Sequence, residues 1–154
     1  MKLQGIFPPI ATPFDHAGNI YVSKIRHNVE KWNLTTLSGY VVMGSTGESV
    51  MLLPEEKYTM WEEVAKYADS NKLLIAGTGV ESVRETVQLT NRAAGMGYKA
   101  AMVRTPHYYK NLINRNDAQM LYYRAVADQA KIPLIIYNWP RLPEWIFPWR
   151  LWRR

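Results

Sequence analysis

Gly39-Tyr40-Val41-Val42-Met43-Gly44-Ser45-Thr46-Gly47-Glu48-Ser49 joins two kinds of chain without a break. Its first half is apolar and rich in β-branched and aromatic side chains, the composition of a strand buried on both faces. Its second half is glycine and hydroxyl, the composition of a tight turn. Pro54, Glu55 and Glu56 follow shortly after. Proline suits the first position of a helix, and carboxylates suit its positive end, so a helix is expected over 54–68.

The same strand, turn and helix recur on either side. Short apolar runs mark strands at 6–12, 38–43, 72–77, 100–103 and 132–137. Helices are expected over 23–34, 82–94 and 116–130; Ile25, Val29 and Trp32 share a face of the first, and Ser82 with Glu85 forms a capping-box pattern at the start of the second. The alternation indicates an α/β fold with a parallel sheet. Two architectures fit: an open, doubly wound sheet of five strands, or the first part of an eight-stranded (β/α) barrel, which takes about 250 residues when complete. In both, functional loops follow the C-terminal ends of the strands.

Composition narrows the chemistry. The 154 residues contain no cysteine, which excludes a disulfide scaffold, a thiolate nucleophile and cysteine-ligated metals. No His, Asp and Glu spacing indicates a metal site. No apolar run is long enough to span a bilayer, and the start of the chain meets Pro8 and Pro9 too early for a secretory signal, so a cytoplasmic location is expected. Half of the net charge of +6 falls in residues 141–154, where Arg141, Arg150, Arg153 and Arg154 face Glu144 alone. The rest is spread out, which argues against a nucleic-acid face.

Four loops carry the chemistry. Gly44-Ser45-Thr46-Gly47-Glu48 offers backbone N–H groups and hydroxyls suited to a carboxylate or phosphate, but lacks the Lys of a Walker loop. Gly77-Thr78-Gly79 resembles a piece of a dinucleotide fingerprint, yet Ser82 stands where the third glycine belongs, so it is read as a tight turn. Tyr108, Tyr109 and Tyr137 place phenols after strands, where one can relay a proton. His107 has no evident carboxylate partner and is read as a loop residue.

Taken together with Gly5-Ile6-Phe7-Pro8-Pro9-Ile10-Ala11-Thr12-Pro13-Phe14, Thr105-Pro106-His107-Tyr108-Tyr109 and Tyr137-Asn138-Trp139-Pro140, these motifs resemble, in order and spacing, the dihydrodipicolinate synthase / N-acetylneuraminate lyase family. The resemblance covers residues 5–140. It implies a (β/α)8 barrel, of which 1–140 would be the N-terminal part, and a homotetramer. It also implies a class I lyase or aldolase in which a lysine forms a Schiff base with pyruvate or another 2-oxo acid, with no metal or organic cofactor. Carried over by position, Ser45 and Thr46 would hold the carboxylate and Tyr137 would shuttle protons. Tyr108 would reach in from a neighbouring subunit, linked through Ser45 or Thr46. Ser45-Thr46 is closer to the lyase side of the family, leaving dihydrodipicolinate synthesis, 4-hydroxy-2-oxoglutarate cleavage and sugar-acid cleavage as candidate reactions.

The family's Schiff-base lysine lies on the sixth strand, past the last residue given, Arg154. Lys131 precedes Tyr137 and is no substitute, so little or no aldolase activity is expected of residues 1–154 alone. After Pro140 the resemblance stops. Trp145, Trp149 and Trp152 stand among arginines in 141–154, a composition expected of an out-of-frame reading. The other reading of this tail is a basic amphipathic segment for a membrane surface or protein partner, which Pro148 interrupts.

Overall fold

The computed structural model describes residues 3–138. The 141–154 tail, with both readings of it, and the Trp139-Pro140 end of the last motif lie outside the described residues. Helix α1 spans Val22–Asn33, strand β1 Gly39–Val42, α2 Pro54–Tyr67 and β2 Leu73–Gly77; α3 then spans Val83–Gly95 and β3 Ala100–Arg104. A short α4 at Lys110–Ile113 precedes α5, Asn116–Ala127, and β4, Leu134–Tyr137. The strands form one sheet in the order β1-β2-β3-β4, every pair parallel. Register is set by pairs such as Tyr40–Leu74, Ala76–Ala101 and Met102–Ile135.

Residues 6–12 do not form the expected first strand. Pro8 and Pro9 have no N–H to give a ladder. The segment instead lies along β1 through a single parallel bridge, Pro9 to Val41, with Ile10 N–H donating to Val41 O at 3.0 Å and Val41 N–H to Pro8 O at 2.9 Å.

The helices begin where local chemistry directs. Ser82 caps α3 by accepting from the Glu85 N–H at 3.1 Å. Glu56 reaches back to accept from the Leu53 N–H at 2.8 Å at the start of α2. α1 buries Ile25 and Val29. α2 buries Met60, Trp61 and Val64; α5 buries Tyr122, Tyr123 and Val126.

The two faces of the sheet are clothed differently. Tyr40, Val42, Leu74 and Ala76 pack under α1, α2 and α3, while Ala101 and Val103 pack under α5. On the other face Val41, Ile75 and Ala100 meet Phe7, Leu73, Met102 and Ile135, with no helical residue among them. A doubly wound sheet carries helices on both faces and reverses its strand order; a barrel keeps helices outside and strands in sequence. This chain shows the second pattern, that of a partial (β/α)8 barrel. No helix of the described residues is long and apolar enough to cross a membrane.

Candidate functional site

The four strands end side by side at Val42, Gly77, Arg104 and Tyr137, and the loops after them enclose a cleft of about 260 Å³. Met43 and Met102 help line it, and Ser45, Gly77, Gly79, Arg104, His107 and Tyr137 stand around it.

Close backbone approach makes this end of the sheet. A Cβ on Gly77 would overlap the Met43 carbonyl, and one on Gly79 would overlap the Arg104 backbone. The two glycines thus let neighbouring strands meet; Gly77 ends β2 and residues 78–80 carry no turn, Thr78 N–H donating to Met102 O at 3.1 Å, so the expected tight turn is not seen there. Met43 itself is left-handed, with φ 67°. Such a conformation is costly for a bulky side chain and is held by its surroundings. It turns the chain into a 3-10 turn, Ser45–Gly47, closed by left-handed Glu48. Thr12 fixes this turn from the first segment, its buried hydroxyl donating to Gly47 O at 2.6 Å.

The structure brings together Ser45, which is exposed at the cleft, and Tyr137, which is half-buried at the end of β4. Thr46 is exposed in the same turn but is not part of the cleft wall. Tyr108 also stands outside it, 75% exposed, its ring edge-on to Tyr109 at 4.9 Å.

His107 does have a carboxylate partner. Its Nδ1 lies 2.9 Å from Glu81 Oε1, and Arg104 contacts both, with Nη1 donating to Glu81 Oε1 at 3.1 Å. The second oxygen of Glu81 accepts from the backbone N–H groups of His107, at 3.0 Å, and Tyr108, at 3.1 Å. Burial alone would raise the Glu81 pKa; those two N–H groups, Arg104 and His107 outweigh it and hold the carboxyl below its ordinary value. Glu81 therefore clamps the loop that presents Tyr108. This pairing was not legible in the sequence, because Glu81 and His107 meet only once β2 and β3 are known to be neighbours. Arg104 lies just past the strand expected at 100–103 and had no assigned role, and Thr12 stood only as part of a motif.

The model of the dihydrodipicolinate synthetase family matches residues 2–145. A 4-hydroxy-tetrahydrodipicolinate synthase of Methanothrix thermoacetophila is 38% identical over 140 residues, covering 90% of this chain and 45% of that protein. Among solved structures, a dihydrodipicolinate synthase of Bacillus anthracis superposes with a TM-score of 0.87 at 30% identity, covering 96% of this chain and 50% of that one. An N-acetylneuraminate lyase of Mycoplasma synoviae gives 0.74, also at 30% identity, over 88% of this chain and 46% of that one. The chain spans about half the length of the curated relatives it matches.

Proposed function

The chain belongs to the dihydrodipicolinate synthetase family, and from that premise we propose that it carries the N-terminal half of a class I aldolase or lyase site for pyruvate or another 2-oxo acid. The observation that carries this reading is the shared cleft: a Ser-Thr turn after β1 faces Tyr137 at the end of β4. The Ser45 hydroxyl, with Thr46 beside it, donates to the substrate carboxylate. Tyr137 moves a proton at the substrate carbonyl oxygen, where its phenol is both donor and acceptor. Tyr108, exposed and clamped by Glu81, projects from this protomer toward the site of a neighbouring one in a homotetramer.

An imine at the keto carbon supplies the electron sink, so the reaction requires neither metal nor organic cofactor. The lysine that forms it on the sixth strand has no counterpart in residues 1–154. On this reading, the chain by itself recognises the 2-oxo acid without aldol turnover. Dihydrodipicolinate synthesis, 4-hydroxy-2-oxoglutarate cleavage and sugar-acid cleavage share this half-site, and Ser45-Thr46 favours the lyases.

Titration with carbon-13-labelled pyruvate, followed by NMR, tests the reading. Saturable binding is expected. Ser45→Ala should weaken it about tenfold or more, the loss expected for one hydrogen bond to a charged group, with Thr46→Val acting in the same direction. Binding indifferent to both substitutions, or no binding by a chain that circular dichroism shows to be folded, would overturn it.

A further inference from the structure

The turn that carries Ser45 and Thr46 does not hold itself. The chain enters it through Met43 and leaves through Glu48, both left-handed, at φ 67° and 55°. Neither is glycine, so both conformations are costly and persist only under constraint. The turn's own hydrogen bonds are of the short 3-10 kind, Gly47 N–H to Gly44 O at 3.1 Å and Glu48 N–H to Ser45 O at 3.0 Å, a poorer geometry than the α-helical one. Ser45 and Thr46 stand exposed on its crest, and Gly44 and Gly47 are buried at its feet.

The constraint comes from a distant part of the chain. Thr12 is only 5% exposed, and its hydroxyl donates to Gly47 O from 35 residues away. Among the described residues, no other side chain hydrogen-bonds to residues 44–48. The anchor is itself fixed, because Ile10 is buried and its N–H donates to Val41 O at 3.0 Å. Val41 belongs to β1, the strand that feeds the turn, so anchor and turn share one support. Close contact reinforces the bond: a Cβ on Gly47 would lie 3.1 Å from Ile10 O and 3.5 Å from the Thr12 hydroxyl oxygen. The segment 6–12, which forms no strand, thus brings one hydroxyl under the turn.

We propose, on the reading of Ser45 and Thr46 as carboxylate donors, that Thr12 is a positioning residue: it holds the turn in the one arrangement from which both hydroxyls reach the same anion. Thr12 is buried under Gly47 and forms no part of the cleft wall, so it acts through the turn and not on the ligand. Its effect lies in the cost of order. Two short side chains on adjacent residues share a carboxylate only when the backbone between them is fixed. A turn fixed beforehand adds nothing to the cost of binding, whereas a loose one subtracts its ordering from the affinity. Loss of the Thr12 hydroxyl would also leave Gly47 O buried without its partner, which favours a displaced turn.

Two variants separate the hydroxyl from the bulk of the side chain: Thr12→Val keeps the shape and loses the bond, and Thr12→Ser keeps the bond. Amide hydrogen exchange followed by NMR reads the turn without ligand. Thr12→Val should speed exchange at Gly47 and Glu48 about fivefold or more relative to Ile75 and Ala76 in β2, the effect of one lost buried hydrogen bond. Thr12→Ser should keep the wild-type rates. Titration of the folded chains with carbon-13-labelled pyruvate reads the site. Thr12→Val should weaken binding about fivefold or more, and Thr12→Ser should not. In a Ser45→Ala background Thr12→Val should cost less than in wild type, because it acts through that hydroxyl. Exchange that rises equally in the turn and in β2, or equal affinity losses in both backgrounds, would make Thr12 a stabilising residue only and overturn the proposal. If Thr12→Val does not fold, Gly47→Ala carries the test: its Cβ presses on Ile10 O and lifts the turn from the same seat, and a folded Gly47→Ala chain that binds pyruvate as wild type does would also overturn it. A wild-type chain that binds no pyruvate overturns the carboxylate reading and this proposal together; wild-type binding that Thr12→Val leaves unchanged overturns this proposal alone.

Discussion

Gly77 holds its place because the Met43 carbonyl occupies the space a side chain would need. The obstacle is backbone, and Met43 is already left-handed, so neither partner yields easily. Gly77→Ala should cost about 1–3 kcal/mol, the range for overpacking, measured by urea unfolding. It should also weaken pyruvate binding by displacing the Ser45 turn. Glu81 acts at the same scale through charge. Its carboxyl is held below the ordinary value in the fold, so the stability it contributes is present above the unfolded-state pKa, about 4.3, and is lost as pH falls through the lower, folded value. Melting temperatures compared from pH 7 down to about pH 3, a range spanning that carboxyl titration, should show wild type losing its advantage over Glu81→Gln. Parallel curves would show that the clamp contributes nothing.

Among the elements, α3 was the most legible in advance. Ser82 accepts from the Glu85 N–H as the pattern required, though the reciprocal carboxylate bond is seen at α2 instead, from Glu56. Ser82→Ala should cost about 0.5–2 kcal/mol, the usual worth of such a cap, with the loss read from the denaturation midpoint. Strands β1 to β4 were legible because each is a short apolar run. Residues 6–12 have the same composition but not the same outcome, since two prolines remove the donors a strand needs. The 3-10 turn at Ser45–Gly47 and α4 at Lys110–Ile113 are too short to leave a periodic signal. Of the site, Ser45 and Tyr137 could be placed from motifs at strand ends. The Glu81, Arg104 and His107 cluster could not, because it depends on which strands are neighbours.

For the molecule as a whole, the decisive quantity is what remains uncovered. β4 is the last strand of the sheet among the described residues, and all four of its residues are only partly buried. Tyr108, Tyr109, Leu112 and Leu121 add exposed apolar surface on the loop and helices before it. Apolar patches of this kind pair with other chains. Concentration-dependent self-association is therefore expected, and sedimentation velocity across a dilution series should reveal it; a constant monomer mass would count against it. The sheet has one more consequence, through its strand order. Each strand pairs with the one made just before it: Gly39 waits for Leu73, Ile75 for Ala100, Ala101 for Leu134. Among the described residues, no strand must wait for a distant one to be synthesised. A nascent chain leaving the ribosome can close each β-α-β unit in turn, so the loop-closure entropy is met in small instalments of similar length. Assembly can then keep pace with translation.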